Sequence, residues 1–402
     1  MIHDVIVVGA GPAGLFAAIQ ASSRHQVLLL EKKDSPGKKL LITGSGQCNL
    51  THTGSVRDFL AFYGRHGSFL GSCLQQFQPD DLLDFFRKRN LEFYISDEGK
   101  YFPKTNQAAD ILNILIQECQ KNGVAIKTCE RIEKVQRKDQ FFLLESNKAI
   151  YEAKKLILTT GGMSYPGTGS EGDGYSLAKS LGHSIIPPRP ALTPVCVSDF
   201  SMSHLSGLSF KEVAIDLFRD HIKKASFTGD LLFTHKGLSG PVILNHSRYL
   251  LSGDVLHINF LHPLQAAGLI KEMLDYIQHK GSHSLINFFR AYPVSRNLVK
   301  HFFTAIGIKQ DLKAAELSKA LRTRLIQQLT NFQIEINKVQ GFSHAMVTAG
   351  GIDLKQVDPR SFQSKICPGL YFAGEILDID GDTGGYNLQA AFSTAFTAGK
   401  SV

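Results

Sequence analysis

The stretch DVIVVGAGPAGLFAAIQAS, residues 4–22, constrains the fold of this chain more than any other. An apolar run ends at Gly9, Gly11 and Gly14 in G-x-G-x-x-G spacing, and helix-forming residues follow at once. A second apolar run, QVLLLE, closes on Glu31, 22 residues after Gly9. The spacing predicts a strand, a tight turn, a helix and a parallel strand. Gly9 permits the turn, Gly11 lets the backbone approach a pyrophosphate, and Gly14 allows the helix to pack on the strand. A carboxylate at Glu31 is placed to accept hydrogen bonds from an adenosine ribose. A dinucleotide site is expected.

FAD and NAD both fit that fingerprint. The far end of the chain separates them, because YFAGEILDIDGDTGGYNLQAAFSTA, residues 371–395, is a second strand, glycine turn and helix. An NAD domain is completed within about 150 contiguous residues. Here the sheet resumes only after a long insertion. A ligand as extended as FAD needs one turn for its AMP end and another for its flavin end, so both turns belong to one FAD.

Between the turns the text divides. AADILNILIQECQK, residues 108–121, has helical period, and strands are expected through GVAIKTCERIEKVQ, QFFLLES, AIYEA and KLILTTGG. Pro187, Pro188, Pro190 and Pro194 read as a boundary. Residues 195–260 are strand-like with turns at FTGD and LSGD, residues 264–328 are helical, and strand text returns near Gln340. The expected fold class is α/β, a Rossmann-like FAD-binding domain over 1–190 and 340–402. An inserted domain interrupts it over 191–339, with a strand-rich part (191–262) and a helical part (263–330).

The 402 residues carry a formal charge of +8, but no block of five like charges occurs. Scattered lysines and arginines read as a solvated surface, and no nucleic-acid partner is expected. Six cysteines without a C-x-x-C pair argue against a redox dithiol, a structural zinc or a secreted disulfide framework. With a strand beginning by Asp4 and no apolar run near 18 residues, neither a signal peptide nor a membrane partner is expected, and the expected location is cytoplasmic.

Four long motifs occur in order: GSGQCNLTH (44–52), TTGGMSYPGTGSEGDGYSLAKSLGH (159–183), LLFTHKGLSGPVIL (231–244), and TAGGIDL with SKICPGLYFAGEILDIDGDTGGYNLQAA (348–391). Over nearly its whole length the chain resembles the aminoacetone-oxidase-like, bile-acid-reductase-like FAD flavoproteins of the glutathione-reductase-like superfamily, which implies an FAD-binding domain of glutathione-reductase type and a β-barrel for the strand-rich part of the insert (191–262). The resemblance implies pyrophosphate contacts from Gly9, Gly11 and Gly14 and a ribose contact from Glu31, with Pro12, Ala13 and Lys32 also binding the cofactor. It implies a flavin-side loop of Lys39, Thr43, Gly46, Cys48 and Asn49, and adenine against the backbone of Ile132. Thr160, Gly161 and Gly162 would complete the site, with Gly374, Glu375, Gly385, Tyr386, Asn387 and Leu388 holding the ribityl chain and flavin ring. Gln47 and His52 stand where the family usually has arginine and asparagine, so the substrate is not inherited.

GTGSEG, residues 167–172, repeats the glycine spacing, but Pro166 separates it from the strand and no strand-ending carboxylate follows. It reads as a structural turn over the FAD domain. GLSGP, residues 237–241, lacks the context of a nucleophile elbow. His235 is the candidate proton carrier, set against a cap of a helix near Ser239, and the cap is favoured. Cys48 reads as a packing residue. The expected activity is that of an FAD-dependent oxidoreductase passing hydride between flavin and a small organic substrate, with NADH or NADPH as a transient donor or oxygen as acceptor. The alternatives are an RNA-modifying flavoprotein and a flavin-binding protein without turnover. The oligomeric state is open.

Overall fold

The computed structural model describes residues 2–198 and 200–402. The chain divides into two compact units, one of residues up to Ala191 together with Phe342–Val402, the other Leu192–Gly341.

In the first unit, four parallel strands stand in the order Ala125–Lys127, Val27–Leu30, Ile2–Val8 and Ile150–Leu158. Val5, Ile6, Val7 and all of Val27–Leu30 are buried, as strands covered on both faces must be. The strand Ile150–Leu158 divides its outer edge between two partners. Its first half pairs antiparallel with Phe141–Ser146, which pairs in turn with Ile132–Lys138. Its last three residues, Leu156–Leu158, pair in parallel with Leu370–Phe372. The chain thus re-enters its first sheet some 210 residues later. The helices Pro12–Ala21 and Tyr386–Ser401 pack closely, because Gly399 has no Cβ where one would lie 2.5 Å from the Ala17 carbonyl oxygen.

The proline-dense stretch is not a linker. Ile185–Ala191, which contains Pro187, Pro188 and Pro190, is a strand paired antiparallel with Val347–Ile352, with a register shift between Ile186 and Arg189. A two-stranded ribbon leaves one edge of each strand unpaired, and a bulge absorbs missing donors, so prolines are tolerated there.

The second unit is a closed barrel in the order Val195–Val197, Gly237–Ser239, Ile222–Phe233, Ser209–Arg219, Val255–Asn259, Phe332–Val339. Alternate residues fill it: Val213, Ile215 and Leu217 on one strand, Leu231 and Phe233 on the next, Leu256 and Ile258, Ile334 and Ile336. FTGD, expected as a turn, lies within Ile222–Phe233. The hairpin turns instead at Asp220 and His221, whose φ values of 52° and 60° suit a type I′ turn. Gly229, φ 155°, pairs with Val213 just beyond a register shift, where a strand glycine marks a bulge. Three helices, Ala266–Lys280, Arg296–Ile306 and Lys319–Thr330, share the barrel's core, the second through Leu298, Val299, Phe302, Phe303 and Ile306. Ser295 and Ser318 cap the last two by accepting from Asn297 N and Leu321 N. The architecture is the α/β class read from the sequence, a Rossmann-like unit with a barrel and helices inserted.

Candidate cofactor site

A cleft enclosing about 1430 Å³, open mouth included, lies wholly within the first unit. One end is made by the first turn. Gly9, φ 100°, sits where a Cβ would fall 2.7 Å from Thr159 O, and a Cβ on Gly14 would meet Gly9 O at 1.8 Å. Gly11 caps the helix Pro12–Ala21 in extended conformation with nothing within 4 Å of where its Cβ would be. The first backbone N–H groups of that helix lack intrahelical acceptors, and such a terminus suits a pyrophosphate.

Glu31 ties this end together. Its carboxylate accepts from Ala10 N at 2.7 Å and Lys33 N at 2.8 Å, fixing the turn to the end of the second strand while the side chain faces the cleft. Beyond it, Lys32 Nζ pairs with Glu171 at 2.9 Å and Asp173 at 2.6 Å, and Arg131 reaches Asp173 at 3.0 Å. The segment GTGSEG forms a helical turn at Pro166–Thr168, runs through Gly169 (φ 111°), and caps Asp173–Ser180 with Gly172. Thr168, Gly169 and Ser170 line the same cleft, as does Ile132.

The other end is polar and interlocked. Lys39 Nζ pairs with Glu375 Oε2 at 2.6 Å and donates to Ser164 Oγ. Glu375 Oε1 accepts from Ser164 Oγ at 2.8 Å and Thr348 N at 3.0 Å, and Thr348 Oγ1 accepts from Met163 N and Ser164 N. Gly162 makes room, since a Cβ there would lie 2.4 Å from Thr348 Oγ1. Each Glu375 oxygen therefore has a partner within the protein, and the pair with Lys39 balances its charge.

Of the residues expected from the sequence, Gly9, Gly11, Pro12, Ala13, Glu31, Lys32, Lys39, Thr43, Ile132, Thr160, Gly161, Gly374, Glu375, Asn387 and Leu388 line the cleft. Gly14, Gly46, Cys48, Asn49, Gly162, Gly385 and Tyr386 are not among the residues that line it. Burial pushes the Cys48 thiol up to about 12, with a smaller opposing pull from a hydrogen bond with Thr43. Gly385 caps the helix Tyr386–Ser401, and a Cβ on it would lie 2.7 Å from the Thr51 backbone. Asn49 fits beneath, its amide donating to Thr51 O and accepting from Gly385 N, both at 3.2 Å. Tyr386 is buried and stacked between Phe62 and His52, with centroids 4.2 and 5.2 Å away. Asn387 folds back onto Gly381 and Asp382.

His235 is exposed at the bend joining two barrel strands, and the helix Pro241–His246 is capped by Gly240 without a side chain, so His235 does not cap it. Sequence reasoning missed Ser164, Thr348, Arg131 and Asp173. Three of the four sit inside the quoted motifs, but polar residues in a motif do not announce which of them meet.

The family profile of the HI0933-like protein Rossmann domain matches residues 3–401. A 3-dehydro-bile acid delta(4,6)-reductase of Clostridium scindens is 32% identical over 99% of this chain and 98% of its own length. A ribosomal RNA dihydrouridine synthase of Escherichia coli K12 is 30% identical over 98% of this chain and 96% of its own. Among solved structures, a flavocytochrome c3 fumarate reductase superposes with a TM-score of 0.51 at 15% identity, covering all of this chain and 78% of its own, which bears on fold alone. The chain belongs to the HI0933-like Rossmann family, a family of FAD-dependent oxidoreductases.

Proposed function

We propose that this protein is an FAD-dependent reductase that adds hydride to a carbon–carbon double bond conjugated with a carbonyl. One observation carries the cofactor assignment: a single cleft joins the Gly9–Ala13 turn to Gly374, Glu375 and Leu388. A dinucleotide with the length of FAD spans such a pair of turns, and the residues present suit it. Backbone N–H groups at Gly11 and Ala13 receive the pyrophosphate, and Glu31 has unused lone pairs for the ribose. Lys39 and Glu375 offer a donor and an acceptor to the ribityl hydroxyls. The N-terminus of Tyr386–Ser401, where Asn387 and Leu388 line the cleft, would support negative charge on a flavin held there. FAD, when bound, supplies the two-electron hydride chemistry.

The reaction class is drawn from two relatives whose names differ in substrate but agree in chemistry. A delta(4,6)-reductase of a 3-dehydro-bile acid and a dihydrouridine synthase both saturate a ring double bond conjugated with a carbonyl. In such a step the β-carbon takes hydride and the α-carbon takes a proton. NADH or NADPH would restore the electrons as a transient visitor, since GTGSEG lines the FAD cleft instead of forming a second nucleotide site. The first reading of the substrate is a small enone. The second is a uracil ring in RNA, favoured by the distribution of positive charge: nine lysines and arginines against two carboxylates within residues 280–324, a net +7 of the chain's +8.

The test is anaerobic. Purified protein should release FAD, be bleached by NADH or NADPH, and be reoxidised without oxygen by a 4-en-3-one steroid or by uridine-containing RNA. Reoxidation by air with neither acceptor active would point to an oxidase and overturn the reductase reading. Absence of flavin after loading with FAD would overturn the cofactor.

A further inference from the structure

We infer that the helical part of the inserted unit carries a docking strip for the phosphate backbone of RNA, formed by Lys280, Arg296, Lys300, Lys309 and Lys313. Read linearly these cations are scattered. The fold gathers them. The strand-like piece after the helix Ala266–Lys280 runs beside residues 312–315, with Leu285 N bonded to Leu312 O, Ala314 N to His283 O, Ala315 N to Gly281 O, and Ser284 opposite Lys313. Lys280 and Lys313 are brought to the same seam. At the other end of the loop, Gln310 Nε2 donates to Lys300 O at 3.1 Å and Thr304 Oγ1 at 3.2 Å, seating Lys309 against the helix Arg296–Ile306. Arg296 and Lys300 lie one turn apart, about 6 Å along that helix, exposed beside its buried face.

All five side chains belong to exposed residues, and none is paired with a carboxylate among the described residues. Within residues 280–324 the carboxylates are only Asp311 and Glu316, and Glu316 is engaged with Lys313 N; on the preceding helix Glu272 accepts from Tyr292 and Asp275 stands beside His279. An unneutralised row of cations attracts a polyanion, and its binding free energy comes largely from counterions released from phosphate. Residues 280–324 expose no large apolar side chain, which a membrane-surface segment would need as an anchor. That absence, with the uracil reading above on which this inference rests, favours RNA over an anionic bilayer. Phosphate contacts of this kind position a substrate without reading its sequence.

The experiment uses the full-length, FAD-loaded protein and a fluorescein-labelled 30-nucleotide single-stranded RNA of mixed sequence, followed by anisotropy between 50 and 300 mM salt. Binding should weaken log-linearly with salt. The triple variant Lys300→Glu, Lys309→Glu, Lys313→Glu should bind at least tenfold more weakly at 100 mM salt, with a slope shallower by about 2, from roughly 0.7 per phosphate contact on a single strand. Its flavin content and melting should match the parent, because these side chains touch neither core. Equal affinity of variant and parent, no binding by the parent at 50 mM salt, or binding to phosphatidylglycerol vesicles that RNA does not compete away would each overturn the strip. The reductase reading is judged separately, by NAD(P)H-driven turnover of a 4-en-3-one steroid or of RNA. RNA binding without turnover sinks that reading alone, and steroid turnover without RNA binding sinks the strip alone.

Discussion

At Glu31 one side chain has a structural task and, in the function proposed above, a second at the ribose. Its oxygens hold Ala10 N and Lys33 N, so the carboxylate shapes the turn before any ribose arrives. Glu31→Ala should therefore weaken FAD by about 1–3 kcal/mol and also lower the melting temperature of the flavin-free protein, because two backbone donors lose their acceptor. Fluorescence titration and melting of the apoprotein separate the two effects, and an unchanged apoprotein would show that the carboxylate serves the ligand only. Gly385 teaches a related lesson. DTGGYN reads as side chains stripped away to let a ring approach, yet the structure puts the Thr51 backbone where the Cβ would be. A valine there strikes protein before it strikes flavin. The buried thiols give a pH prediction. Burial raises Cys48, Cys73 and Cys119 from an ordinary value of 9.0 to about 12. Ionisation then favours the unfolded chain as soon as pH passes the unfolded value, so their contribution is complete below pH 9 and is lost as pH rises from 9 towards 12. Urea midpoints should fall over that window, and Cys48→Ser, Cys73→Ser and Cys119→Ser together should flatten the fall. Iodoacetamide at pH 8 should label exposed Cys129 in the native protein and leave these three untouched.

Elements were legible where one local rule decides them. The helix at residues 108–121 was read from period alone and stands at those bounds, and the strand, turn and helix around Gly9 stand in the expected order, with the strand at Ile2–Val8 and the helix at Pro12–Ala21. The prolines at 187–190 marked the boundary that falls at Ala191, yet they stand in a strand, and the glycine in FTGD misled because it was read as a turn. A ribbon edge and a bulge accept both residues, and only pairing partners distant in sequence reveal that. GTGSEG is the most informative element between these cases. Its spacing imitates a nucleotide turn, but Glu171 and Asp173 at its end are ion-paired with Lys32 and Arg131 at the Glu31 end of the cleft. A Cβ on Gly169 would come within 3.2 Å of the Lys33 stem, so the turn rests directly on the strand end. On the FAD reading proposed above, such a segment would act as a strap. The pairs are partly exposed, and each is worth at most about 1 kcal/mol. Glu171→Gln with Asp173→Asn should therefore raise the FAD dissociation rate several-fold, and added salt should raise the parent's rate towards the variant's. FMN, which lacks the adenosine half, should dissociate equally from both. A variant that releases FAD at the parent's rate would leave the quartet as surface charge.

The whole molecule follows from where the insertion begins and ends. Residues 192–341 leave and return through one antiparallel ribbon, in which Ala191 stands opposite Val347. The first unit's apolar cluster draws its members from Val5 to Val402 with none between Leu192 and Gly341, and the second unit's cluster runs from Val195 to Ile336. Each unit thus buries its own core. Composition hinted at this at the prolines, but the sequence could not say that the two ends of the insertion are neighbours, because that is a pairing across some 150 residues. Two ends paired in a ribbon can be closed by a short loop, whose entropy cost grows only slowly with length. Replacing residues 192–341 with a four-residue Gly-Ser linker, so that Ala191 leads into Phe342, should leave a protein that melts cooperatively and takes up FAD at one per chain. Leu370–Phe372 and the helix Tyr386–Ser401 remain in place to complete the sheet and cleft. The same protein should lose RNA affinity, since Lys280 through Lys313 are gone. A shortened chain that aggregates or holds no flavin would mean that the first unit needs its insertion to fold, and that the two cores form a single cooperative system.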